Sequence, residues 1–185
     1  GGQVNDSPCG GEITDQVIRA IRTTGIVIQV MTYAPIAANL QPAINFAESG
    51  TGEGTVLIPR GSYTIAAPLS IQHGPLLISG NGPSDGTNTS TATIIKLASG
   101  STTPAAFIGQ GTKVRIMDLS IDVANGTGSG IVFSSLTEGE FVCLGVSAKT
   151  YGINIASSAQ TWIHQSTFTV NSSLTSYAIK LVGKL

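Results

Sequence analysis

The amino-acid sequence predicts an all-β solenoid, in which one chain winds into a coiled parallel sheet. Three segments of its second half repeat one another at spacings of 25 and 22 residues: Val114–Val123, Phe141–Ala148 and Trp162–Val170. A period in this range is typical of solenoids, in which each coil buries its apolar face against its neighbours. Apolar and small polar residues alternate within each segment, and alternation with a period of two is typical of strands.

The repeat also predicts which side chains stack inside the solenoid. We expect two short strands per coil, joined by corners rich in Gly, Ser and Asn, with successive coils ~4.8 Å apart. Leucine-rich repeats, the main alternative, need a Leu-x-x-Leu-x-Leu pattern and a helix per repeat, and the sequence has neither. The predicted inward columns are Ile116 with Phe141 and Ile163, Ile121 with Val146 and Phe168, Val123 with Ala148 and Val170, Ile131 with Ile153 and Ile179, and Phe133 with Ile155 and Leu181.

Composition supports a single domain with a low surface charge. The 185 residues suffice for a substantial core, and only 10% of them are charged, against roughly 25% in an average soluble domain. Low charge suits stacked coils, because like charges ~4.8 Å apart would repel one another. With a net charge of −1 and no apolar run near the ~20 residues that span a bilayer, we expect neither a nucleic-acid nor a membrane partner.

The N-terminal part, residues 1–38, is expected to form an arm and a cap. Thr14 can cap a short helix that carries Val17, Ile18 and Ile21 and ends at Gly25. The following segment, Ile26–Tyr33, has the composition of a strand.

The remainder, residues 39–185, is expected to form the β-helix domain, with truncation at its C-terminal end as one interpretation of its last strand. Asn39 can cap a second helix with Ala43, Phe46 and Ala47 facing inward, and Pro42 is tolerated in its first turn. Because an open solenoid end exposes apolar columns and unpaired backbone, the two helices are the natural cover for the first coil.

The block that follows the second helix resembles the opening of pectate-lyase-like right-handed parallel β-helix proteins, a superfamily that includes bacteriophage tailspikes. It contains Gly-Thr-Val-Leu-Ile-Pro-Arg-Gly-Ser-Tyr from Gly54 and Leu-Leu-Ile-Ser-Gly-Asn-Gly-Pro from Leu76. Val56 and Ile58 should point inward, and Gly80 and Gly82 permit positive φ at a tight turn. The resemblance covers about residues 39–185 and implies a right-handed, single-stranded parallel β-helix. The Asp-rich segment that often precedes the helix in this superfamily is absent.

The same resemblance implies a protein that binds or cleaves polysaccharide. The superfamily's lyases use carboxylates that hold calcium, and its polygalacturonases use a cluster of Asp residues that includes Asp-Asp and Asn-Thr-Asp. The chain has neither of these motifs and no coil-to-coil stack of carboxylates, so no metal site and no cofactor is predicted.

Asp118 and Asp122 are the best candidates for catalytic carboxylates. Two carboxylates that hydrolyse a glycosidic bond lie ~5–10 Å apart, and this pair could meet that distance. Asp122 should point outward, with Ser147 and Thr169 beside it in the next two coils. The alternative is that Asp118 caps backbone amides at a bend and that Asp122 is merely solvated.

Candidate substrate-binding residues lie in the later coils. Glu138 and Glu140 could form an acidic rim, and His164 should face outward as a possible glycan contact. An exposed Trp162 could stack on a sugar ring, although packing over a corner of the core is the more common role for such a residue.

Cys9 and Cys143 are the only cysteines. Because Cys143 lies in a repeat strand, a buried thiol is the favoured interpretation, and a disulfide to the N-terminal segment is the alternative. The four Asn-x-Ser/Thr sequons, at Asn5, Asn88, Asn125 and Asn171, matter only in a secreted eukaryotic protein.

These observations favour a tailspike-like domain, extracellular or on a virion surface, that binds polysaccharide. The sequence has room for about five or six coils and stops on a strand, Ile179–Leu185. An uncapped end is adhesive, so homo-oligomers or end-to-end stacking are expected. The alternatives are a structural fibre or filament subunit and a secreted polysaccharide lyase or glycoside hydrolase.

Overall fold

The computed structural model of the chain describes residues 9, 13–84, 89–124, 128–170 and 177–183. The sequons at Asn5, Asn88, Asn125 and Asn171 therefore lie outside the described residues. The elements, in chain order, are β1 Ile18–Thr24, β2 Val27–Tyr33, a 3-10 turn Ala37–Asn39, α1 Leu40–Glu48, β3 Gly54–Leu57, β4 Gly61–Ile65, β5 Leu69–Ile71, β6 Leu76–Ser79, β7 Thr93–Leu97, β8 Ala105–Gly111, β9 Val114–Asp122, β10 Ser129–Ala148, β11 Tyr151–His164, β12 Thr167–Val170 and β13 Tyr177–Gly183.

The strands wind into a parallel β-solenoid of about five coils with three faces. The first face stacks β3, β6, 114–117, 139–142 and 161–164. The second face stacks β4, β7, 120–122, 144–148 and β12. The third face stacks β5, β8, 129–136, 151–158 and β13.

Each coil contains three strand segments, so the expectation of two strands per coil is wrong. The predicted repeat Val114–Val123 is not one straight strand, because β9 bends within it and contributes to both the first and the second face. β10 and β11 likewise continue from the third face onto the first. Alternating apolar residues continue on both sides of the bend, so the pattern resembles that of a single strand.

The predicted inward columns are confirmed by the strand register. Phe141 pairs with Ile116 on one side and with Ile163 on the other, so the spacings of 25 and 22 residues are those of successive coils. The third-face column is also confirmed, since Ile153 lies between Ile131 and Ile179. The same columns form the core up to the fourth coil, where the largest fully buried side chains include Phe133 and Phe141, whereas Ile179 and Leu181 of the last coil are exposed.

A column of left-handed residues forms the corner between the first and second faces. Asp118, Cys143 and Gln165 have φ of 56°, 52° and 46°, and they follow one another at the repeat spacings of 25 and 22 residues. A left-handed residue bends the chain sharply at a single position, and each coil needs such a bend between the first and second faces. The expected bend at Asp118 is therefore present and recurs in the next two coils.

The cover of the first coil consists of one helix and one hairpin, and the predicted helix from Thr14 to Gly25 is wrong. That segment contains β1, which pairs antiparallel with both β2 and β3. Its Ile18 and Ala20 are fully buried two residues apart, which is the spacing of a strand. Gly25, with φ of 62°, turns the hairpin instead of ending a helix.

Two other N-terminal predictions are confirmed in position. The strand Ile26–Tyr33 corresponds to β2, and the second helix corresponds to α1. The helix buries Ala43 and Ala47 as expected and also Ile44, whereas Phe46 is only half-buried against the core. The Asn39 side chain does not cap the helix as expected, because its amide nitrogen donates to the carbonyl oxygen of Ala34 at 2.9 Å.

The opening block folds as its motif predicts, with one change. Val56 and Ile58 are buried, and Gly82 has φ of 106°. Gly80 is not among the described glycines with positive φ. A Cβ there would overlap the carbonyl oxygen of Asp118 and lie 2.8 Å from the Cβ of Thr93, so close packing of the next coil requires this glycine.

Among the described residues, no helix is long and apolar enough to cross a membrane. Apolar side chains are nevertheless exposed along β2 and its turn. They are Ile26, Val27, Ile28, Val30 and Met31.

Candidate functional site

The second face carries a groove of about 740 Å³ that crosses four successive coils. Its floor is formed by β7, β9, β10 and β12, and hydroxyl groups make up most of its polar side chains. The polar residues of the groove are Ser84, Thr89, Lys96, Ser120, Asp122, Ser147, Gln165, Thr167 and Thr169.

A ladder of aligned residues runs along the groove. Asp122 pairs in register with Lys96 before it and with Ser147 after it, and Ser147 pairs in turn with Thr169. Because adjacent coils lie ~4.8 Å apart, the ladder presents one polar side chain per coil at that interval. The prediction that Ser147 and Thr169 would stand beside an outward Asp122 is confirmed.

Most side chains of this ladder are available to a ligand. Within the described part of the chain, Lys96, Ser147 and Thr169 of the ladder form no side-chain hydrogen bond or ion pair, and neither does Thr167, two residues before Thr169. Asp122 accepts one long hydrogen bond, from the backbone nitrogen of Ala124 at 3.4 Å. These groups offer donors and acceptors that the described residues leave largely open to a ligand.

One wall of the groove is the chain that follows β6. Pro83, Ser84 and Thr89 line it, and the backbone nitrogen of Ser84 donates to the hydroxyl oxygen of Ser120 at 2.8 Å. This bond ties the wall to the floor and leaves Ser120 almost completely buried.

The N-terminal segment contributes Cys9 to the groove lining through a disulfide. Cys9 lines the groove and is bonded to Cys143, with 5.3 Å between their Cα atoms. The favoured interpretation of Cys143 as a free buried thiol is therefore wrong, and the disulfide alternative is confirmed. The arm is also held at Ile13, whose backbone nitrogen donates to the Asn81 side-chain oxygen at 2.7 Å.

The two candidate catalytic carboxylates occupy different environments. Asp122 faces the groove, whereas Asp118 lies at the corner and is not part of the groove lining. An Asp tolerates the left-handed conformation better than most residues, which gives Asp118 a structural reason to occupy this position. Catalysis by the pair stays a prediction.

A second depression, of about 340 Å³, lies on the first face and is called the Trp162 cleft here. It brings together three of the four candidate substrate-binding residues, Glu138, Glu140 and Trp162. Glu140 pairs in register with Arg115 and with Trp162, so the three form one ladder across the cleft. The complete lining is Glu53, Lys113, Arg115, Glu138, Gly139, Glu140 and Trp162.

Two ion pairs organise the Trp162 cleft. A guanidinium nitrogen of Arg115 lies 2.6 Å from a carboxylate oxygen of Glu53, and the Lys113 ammonium lies 3.9 Å from Glu138. Trp162 is 45% exposed, so it does not pack over the core as the more common role would have required. His164, the fourth candidate, is exposed on the same strand but lines neither the cleft nor the groove.

The candidate catalytic and substrate-binding residues thus do not converge on one pocket. The groove and the Trp162 cleft lie on different faces, separated by the corner that contains Asp118. Among the described residues, no group of three or more His, Cys, Asp or Glu side chains could hold a metal ion.

Sequence reasoning missed Lys96, Thr167 and Gln165 as groove residues. Lys96 lies outside the three repeats that the sequence shows most clearly, so the repeat spacing did not align Lys96 with Asp122. Gln165 occupies the corner position two coils after Asp118 and one coil after Cys143, and that spacing was the available signal.

Protein-family models, curated proteins and solved structures were each compared with the chain, and none of the three comparisons gave a match.

Proposed function

We propose that the chain is the polysaccharide-binding β-helix domain of an extracellular or virion protein of the tailspike-like, pectate-lyase-like kind. The observation that carries the proposal is the groove, in which Lys96, Ser147, Thr167 and Thr169 have no partner within the described part of the chain. Hydroxyls that donate and accept at a regular interval suit a linear polymer of hydroxyl-bearing units.

The disulfide supports the location. Disulfides persist in oxidising compartments and on virion or cell surfaces and are rare in the cytosol. Cys9 and Cys143 join segments 134 residues apart, so the bond constrains most of the chain. Such a bond suits a domain that works outside the cell.

The test is to block the groove with a bulky side chain. Ser147→Trp places an indole on the groove floor, whereas Asn154→Trp places one at an outward position of the third face, in register with Val132 and Lys180. On an array of linear polysaccharides, we expect Ser147→Trp to weaken binding at least about tenfold, ~1.4 kcal/mol, and Asn154→Trp to leave it unchanged. Equal binding by both variants would exclude the groove as the site.

A second candidate function, assembly with further copies of the chain, is favoured by β2. This seven-residue edge strand carries no charge and no proline, and charges and prolines are what usually protect edge strands from pairing. We propose that β2 of one copy pairs with β2 of another.

The mass measured by light scattering tests this assembly. We expect the wild-type mass to rise above that of the monomer with concentration, and Ile28→Lys, on the exposed edge, to abolish the rise. A wild-type protein that stays monomeric at every concentration would contradict the assembly without bearing on glycan binding.

A further inference from the structure

The Trp162 cleft has an excess of negative charge that its own ion pairs do not cancel. Of its five charged residues, Arg115 is held by Glu53 and Lys113 faces Glu138. Within the described residues, Glu140 forms no ion pair. The net charge of −1 in the lining is therefore centred on the Glu140 carboxylate.

Glu140 stands beside the one tryptophan of the chain. The two residues pair in register on neighbouring coils, so their side chains emerge on the same side of the first face, ~4.8 Å apart at the backbone. Tryptophan is the aromatic side chain that attracts cations most strongly, and a cation over its ring is worth ~0.5–1 kcal/mol where solvent has access. A carboxylate next to the ring adds direct charge neutralisation.

We propose that the Trp162 cleft binds a ligand through a cationic nitrogen, either a protonated amine, as in an amino sugar, or a quaternary ammonium. The indole contacts the cation and Glu140 neutralises it. The cleft of about 340 Å³ admits one such group and excludes a long stretch of polymer. The proposal does not rest on glycan binding in the groove, because the two sites lie on different faces.

A neutral sugar is the competing occupant, since sugar rings also stack on tryptophan. Stacking alone is indifferent to the charge of the ligand, whereas binding through a cation requires the Glu140 carboxylate. Glucosamine and N-acetylglucosamine separate the two possibilities, because they share a ring and differ at one nitrogen, which is a charged ammonium in the first and a neutral acetamide in the second.

Because Trp162 is the only tryptophan, the intrinsic fluorescence of the protein reports on this cleft. We would titrate the wild-type protein with choline, glucosamine and N-acetylglucosamine. We expect a saturable change in emission with choline, glucosamine or both, and at least about tenfold weaker binding of N-acetylglucosamine. A response to choline alone identifies a quaternary ammonium site, and a response to glucosamine alone identifies an amino-sugar site.

Two variants complete the test. Glu140→Gln keeps the shape of the side chain and removes its charge, so we expect it to weaken binding of the cationic probe at least about tenfold. Glu48→Gln, on α1 and outside the cleft, removes one charge elsewhere and should leave the titration unchanged. Equal affinity for glucosamine and N-acetylglucosamine, or full affinity in Glu140→Gln, would overturn the proposal. Neither result would bear on glycan binding in the groove.

Discussion

Tyr63 shows how a polar group is accommodated inside the solenoid. Its ring is buried in the core, and its hydroxyl donates to the carbonyl oxygen of Pro59 at 3.0 Å. Burial raises the pKa of Tyr63 from 10.0 to about 12, because the phenolate would lose its hydration. Between these values the unfolded chain releases the proton and the folded chain keeps it. The stability contributed by the neutral phenol is therefore complete below pH 10 and is lost as the pH rises to about 12.

We accordingly expect the free energy of unfolding of Tyr63→Phe to fall less than that of the wild type between pH 10 and pH 12. The variant should be about 1 kcal/mol less stable near neutral pH, since one buried hydrogen bond is lost. Urea unfolding at a series of pH values measures both effects. Tyr33→Phe is the matched control, because the Tyr33 hydroxyl also faces a proline carbonyl, that of Pro42 at 3.5 Å, but near the surface. Identical pH profiles for wild type and Tyr63→Phe would contradict the assignment.

Gly80 is a position where one methyl group should be costly. An alanine Cβ there would overlap Asp118 and lie 2.9 Å from the Cβ of Leu119, and the next coil cannot move away without losing its register. We expect Gly80→Ala to lower the free energy of unfolding by about 1–3 kcal/mol. Gly52→Ala is the control, since its closest contact, Thr23 Cβ at 3.4 Å, is ordinary. A denaturation midpoint for Gly80→Ala equal to that of Gly52→Ala would show that the coils tolerate the methyl group.

At the scale of elements, the repeat predicted the later strands well and the N-terminal cap poorly. Each strand of the repeat aligns with the corresponding strands of the neighbouring coils, so the same apolar pattern is seen three times. The segment Ile18–Thr24 has no copy, and its apolar residues fit a helix as well as a strand. The segment forms a strand because it pairs with Leu57 and Val56 of β3, and a local sequence pattern does not predict such a distant pairing.

The disulfide joins Cys9 of the N-terminal segment to Cys143, at the corner of the fourth coil. Cross-links that close long loops restrict the unfolded chain most, and a separation of 134 residues gives up to about 5 kcal/mol in the chain-entropy model. We expect Cys9→Ser and Cys143→Ser each to lower stability by about 2–5 kcal/mol. Thermal melts with and without reductant measure this, with reduced wild type expected to match Cys9→Ser. A wild-type melting temperature unchanged by reductant would contradict the cross-link.

For the whole molecule, the fold could be predicted further than the site. The length of the later coils, the inward columns and the outward position of Asp122 follow from periodicity, because these coils repeat one geometry. The division of candidate residues between two faces does not follow from it. It depends on the corner formed by Asp118, Cys143 and Gln165. There one left-handed residue per coil separates the first face, with Glu140 and Trp162, from the second face, with Asp122.

The affinity of linear oligosaccharides as a function of their length tests the central proposal most directly. The four coils of the groove span about 14 Å, and each presents one outward polar side chain to the polymer. We therefore predict, by calorimetry with the array's best binder, that affinity rises with each added sugar until the groove is filled and is then constant. In Ser147→Trp this rise should disappear. An affinity independent of length, or a length dependence that survives in Ser147→Trp, would contradict a polysaccharide site in the groove.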